Sequence, residues 1–89
     1  MTFQAEPDRE PQRLIQDTLQ EYRTTGRMAE IIYRDGAGQV CIAHDVIRDV
    51  FSRAGSDFVM LGRGAMLELD HIMTIDGWSP RAGNVLTQP

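Results

Sequence analysis

Two adjacent pairs, His44-Asp45 and Asp70-His71, are where acid–base or metal chemistry would be sought in this chain. Imidazole can relay a proton or bind zinc, and a neighbouring carboxylate can orient it. A metal site needs at least three convergent ligands, however, and the two pairs fall on different strands in the reading below. Cys41 is the sole cysteine, which excludes an internal disulfide and a multi-cysteine zinc site. No serine, cysteine or carboxylate pair has a recognisable helper at catalytic spacing. We therefore expect no catalytic residue, no metal and no cofactor. The paired carboxylates are expected to end strands or anchor turns, and Cys41 to act as a small core hydrophobe.

Charge offers a binding chemistry instead. Thirteen carboxylates against nine arginines, with no lysine, leave a net charge of −4. A protein that holds nucleic acid by neutralising phosphates needs the opposite sign, so the average charge disfavours direct RNA binding. An acidic chain is better matched to a basic protein partner. Asp45, Asp49, Asp57, Glu68, Asp70 and Asp76 place acids on four of five expected strands, and the first five form the candidate partner-binding surface. Arg34, Arg53 and Arg63 lie at or beside three hairpin tips, where a guanidinium can grip phosphate or stack on a base; they are the alternative, RNA-binding set. Gly62-Arg63-Gly64 and Asp35-Gly36-Ala37-Gly38 lead into strands rather than a helix, so they read as hairpins and not as phosphate loops. Met66, on the outward parity with Glu68, and Trp78, after the last strand, form a candidate oligomer or partner patch.

These residues need elements to position them. At 89 residues the chain is one small domain, able to bury about two-thirds of its surface. Residues 1–10 read as a flexible tail, 11–77 as the folded domain and 78–89 as a second flexible tail. A helix is expected from Pro11 to Thr25, with Leu14, Ile15, Thr18, Leu19 and Tyr22 on one arc and Gly26 as its cap. Five strands follow: Met28 to Arg34, Gln39 to Arg53, Asp57 to Leu61, Ala65 to Asp70 and Ile72 to Asp76. The second is long and apolar on both parities, as expected of a strand that bends to serve two packed sheets. Short antiparallel strands remove their edges by curling, and the helix has an apolar face to bury. The expected architecture is mainly β: a five-stranded antiparallel Sm-like or SH3-like small barrel capped by the N-terminal helix.

Ile31-Ile32-Tyr33-Arg34-Asp35-Gly36, His44-Asp45-Val46-Ile47-Arg48-Asp49-Val50-Phe51 and Leu67-Glu68-Leu69-Asp70-His71-Ile72 carry a family resemblance. The span from Ile31 to Gly77 resembles the small bacterial Sm-like proteins related to Rof, the Rho-binding antiterminator. The resemblance implies an acidic, non-enzymatic inhibitor that contacts the Rho hexamer near its primary RNA-binding site and prevents transcript loading. The family's cysteine and Tyr-Asp pair ahead of the first strand have no counterpart in Leu19 to Thr25, so no partner contact of the helix is carried over. Ring-forming Sm and Hfq proteins place an Arg-Gly pair between strands four and five. Here Arg63-Gly64 falls between strands three and four, and the later link is Asp70-His71.

The expected function is thus a Rof-like regulator that binds a nucleic-acid-handling protein, with Rho the first candidate. The alternatives are an Sm-type ring that binds RNA through its loop arginines, and a small-barrel interaction module. We expect a monomer or small homo-oligomer. The absence of a bilayer-length apolar run or a secretory leader makes a cytoplasmic protein without membrane contact the expectation.

Overall fold

The computed structural model describes residues 9–80. Residues 1–8 and 81–89, most of the two expected tails, lie outside the described residues. The order is α1 (Arg9–Thr25), β1 (Met28–Arg34), β2 (Val40–Arg53), β3 (Ser56–Leu61), β4 (Met66–Glu68), a 3-10 turn (Leu69–His71) and β5 (Ile72–Ile75). All neighbours pair antiparallel, in the order β4-β3-β2-β1-β5. Five strands side by side span about 19 Å. Yet β4 and β5, at opposite edges of the sheet, are joined by one 3-10 turn. Only a curled sheet brings its edges that close, and the result is a small barrel.

The bend sits in β2. Val40 to Val46 pair with β1 and Ile47 to Arg53 pair with β3, with Arg48 left over as a bulge between Ile47 and Asp49. One strand therefore belongs to both halves of the barrel, as its two apolar parities required. Its first half nevertheless leaves Val40 and Ile42 exposed, a point taken up below. Five strand boundaries, spread over β2 to β5, differ by a residue or two from expectation. The fourth strand stops at Glu68 because Leu69–His71 coils into the 3-10 turn, which buries Leu69 completely.

Helix α1 starts at Arg9, two residues ahead of Pro11. Proline stays in the first turn, where its missing N–H has no intrahelical acceptor to lose. Ile15 and Leu19 are fully buried and Tyr22 nearly so, against β2 and the 3-10 turn. Leu14, expected on that arc, lies at its edge and is 42% exposed. Cys41 is only half-buried: its thiol lies 3.7 Å from an Asp35 carboxylate oxygen near the β1–β2 turn rather than in the core.

Past Gly26 (φ 73°) the helix is fastened to the sheet by a clasp. The Tyr22 hydroxyl donates to Asp76 Oδ2 at 2.6 Å, and the Glu30 amide donates to Asp76 Oδ1 at 2.9 Å. The Arg27 guanidinium lies 4.4 Å over the Tyr22 ring. The tyrosine hydroxyl, then the Glu30 amide, hold the Asp76 carboxyl below the ordinary carboxylate range. The same bond, then burial, pushes Tyr22 up. The carboxylate's contribution to stability is complete above roughly pH 4 and is lost as pH falls through its depressed value. The tyrosine's is complete below about pH 10 and is lost as pH rises through its raised value. Tyr22→Phe is expected to cost about 1 kcal/mol at neutral pH, because solvent still reaches Asp76. It should also reduce the alkaline decline, to which Tyr33, pushed up by burial, still contributes, and reduce the acid one, which denaturant melts across pH will measure.

A second fastening explains Gly62. Its amide donates to the Val46 carbonyl at 2.9 Å, and a Cβ there would sit 2.7 Å from both Asp45 Oδ1 and Val46 Cγ2. Asp45 cannot swing aside without breaking its bonds to the Val46 and Arg63 amides. Gly62→Ala is therefore expected to destabilise by about 1–3 kcal/mol, read as a lower urea midpoint at unchanged m-value.

Candidate interaction surface

The carboxylates expected on one partner-facing surface have several different jobs. Asp45 accepts from the Arg63 amide at 2.9 Å and the Val46 amide at 2.8 Å, which ties the β3–β4 hairpin to β2. Those amides, the Arg63 one foremost, and the Arg63 charge hold its carboxyl below the ordinary range. Asp49 accepts from the Val50 amide beside the bulge. Asp57 accepts from Gln12 Nε2 at 3.0 Å and from the Ser52 hydroxyl, linking α1 to the β2–β3 hairpin. Glu68 lies 3.6 Å from His71, one 3-10 turn further on. Asp76, read from sequence as one more outward acid, belongs to the Tyr22 clasp.

The fold does bring two of them together. Asp57 from β3 and Asp70 from the 3-10 turn line one open cleft of about 750 Å³, whose other wall is Gln12, Arg13 and Gln16 of α1. Its lining is mostly polar side chains able to accept or donate hydrogen bonds, with two carboxylates against one guanidinium. Such a cleft suits a cationic side chain from a partner better than an apolar ligand. Gln12 and Gln16 were not among the residues singled out from sequence. Their i, i+4 spacing marks one side of the helix, but nothing in the sequence ties that side to Asp57 or Asp70.

Around the barrel, Glu68 and Met66 line a groove of about 400 Å³ with Tyr33, Arg34, Phe58 and His71. A neighbouring hollow of about 350 Å³ also includes Arg34 and His71, together with Asp70. Arg34, His71 and Asp70 thus connect these grooves to the rim of the cleft. Met66 is 47% exposed on β4, whereas Trp78 is bridged to Ile75 of β5 by two bonds of 3.0 Å, so the two lie at opposite edges of the sheet.

The hairpin arginines are spread out. Arg34 lies opposite Val40 at one end of the β1–β2 ladder and donates to the Gly38 carbonyl at 3.1 Å. The Arg63 amide is fixed to Asp45, which pairs with Ala29 near the other end. Arg53 ends β2 with its guanidinium 6.0 Å from the Phe51 ring. His44 and His71 also keep apart: His44 faces Glu30 across the ladder at 3.8 Å, and His71 faces Glu68. Among the described residues no three His, Cys, Asp or Glu side chains are grouped to hold a metal ion, and no helix is long and apolar enough to cross a membrane. No protein-family model matches the chain, and comparison with curated proteins and with solved structures yields no match either.

Proposed function

We propose that this chain is a cytoplasmic, non-enzymatic regulator that resembles Rof and binds a nucleic-acid-handling protein, the Rho termination factor being the first candidate. The observation that supports this reading most is the cleft in which Asp57 and Asp70, from separate elements, face the N-terminal helix on a barrel of net negative charge. A carboxylate pair there can receive an arginine or lysine of the partner, and an RNA-binding protein carries such residues where it meets phosphate. Occupying them would keep RNA away without any chemistry. Arg34 and the Arg63 amide lie toward opposite ends of the β1–β2 ladder, which supports this reading over the RNA-binding alternative.

The test is affinity capture from the native host with and without nuclease. Recovery of Rho after nuclease digestion is the expected result. Recovery only of species that vanish with the RNA would overturn the proposal in favour of an Sm-type RNA binder.

A further inference from the structure

An antiparallel sheet that faces water on one side normally alternates apolar inside with polar outside. The β1–β2 hairpin breaks that rule. Its inward residues Ala29 and Ile31 are buried, as they should be, but the outward row of β2 begins Val40 and Ile42, 55% and 63% exposed. Ile42 pairs across the ladder with Ile32, and Ile32 in turn with Thr74 of β5. Bending of β2 explains apolar residues on both faces of its second half, not of this one.

The charges beside that apolar row are arranged with a symmetry of their own. Along β1 the outward positions run Met28, Glu30, Ile32, Arg34, with the acid and the arginine equally far from the isoleucine on either side and the exposed Met28 at the end of the row. We propose that this face is the interface of a two-fold dimer, with the axis running along the Ile42–Ile32–Thr74 row between two facing sheets. The rotation lays Ile32 on Ile32 and Ile42 on Ile42 of the second copy, and sets each Glu30 against the other copy's Arg34. An axis along the strands would instead stack Glu30 on Glu30 and Arg34 on Arg34, which like-charge repulsion disfavours. Arg34 uses one donor on the Gly38 carbonyl, so its guanidinium retains others for the carboxylate. A second copy is favoured over a foreign partner because the Ile32–Ile42 row and the Glu30 and Arg34 charges each meet their match in it, while Val40 covers the other copy's His44. The dimer is independent of the Asp57–Asp70 cleft, which α1 borders.

Sedimentation equilibrium of the full chain tests it. The wild type is expected to dimerise, and Ile42→Glu to raise the dissociation constant by about a hundredfold or more, since two isoleucines lose their burial at once. Glu30→Arg and Arg34→Glu should each weaken the dimer, and the double exchange should restore it. Circular dichroism melts will show each variant folded, as all three positions face outward. A wild type still monomeric at about 100 µM would overturn the proposal and assign the face to another protein. So would a dimer indifferent to Ile42→Glu, or a double exchange no better than the singles.

Discussion

Leu19→Ala is expected to cost about 2–5 kcal/mol and to lower the unfolding midpoint by roughly 10–30 °C. Leu19 is fully buried, with Ile15 and Tyr22 of the same helix and Leu69 of the 3-10 turn also in the core. The helix is therefore part of the only sizeable core a domain this small can build, not a lid added to a finished barrel. Truncation leaves a cavity that α1, β2 and the 3-10 turn cannot all collapse into, because the Tyr22–Asp76 clasp and the Gln12–Asp57 bond hold both ends of the helix. Leu14→Ala is the control. At 42% exposed it should cost less than about 1 kcal/mol. Equal losses for the two variants would mean that the helix does not plug the barrel.

Reversing the charge at Asp70 is the second large effect expected, this time on binding. In the Rof-like reading, Asp70→Arg places a positive charge where the partner's cation should dock and is expected to weaken association with Rho by about tenfold or more. Asp57→Asn should weaken it as well, but at a cost in stability, because Asp57 also accepts from Gln12 and Ser52. Surface plasmon resonance with folding checked by circular dichroism separates the two causes. Unchanged affinity in folded Asp70→Arg would remove the cleft from the proposal.

The barrel was legible in the sequence because its signals are local. Period-two runs bounded by Asp35-Gly36-Ala37-Gly38 and Gly62-Arg63-Gly64 located two of the hairpins, and a long strand apolar on both faces required a bend. Ile15, Leu19 and Tyr22 share one face of α1 at i, i+4 and i+7, which is enough to find the buried stripe. The site was less legible because carboxylates look alike in sequence. Whether an aspartate meets solvent or bonds to an amide depends on a neighbour far along the chain: Arg63 for Asp45, Glu30 for Asp76, Gln12 for Asp57. The exposed Val40 and Ile42 were hidden for a related reason. Apolar residues on both parities have one signature whether the second face meets a folded-over sheet or water.

On the proposed function, this acidic barrel works by holding a basic, RNA-handling protein. Titrating the purified chain into Rho by calorimetry, over a series of salt concentrations and with RNA as competitor, tests it most directly. Binding that weakens steadily as salt rises and that RNA displaces is the result predicted. No heat of binding even at low salt, or an affinity untouched by salt and RNA alike, would contradict it.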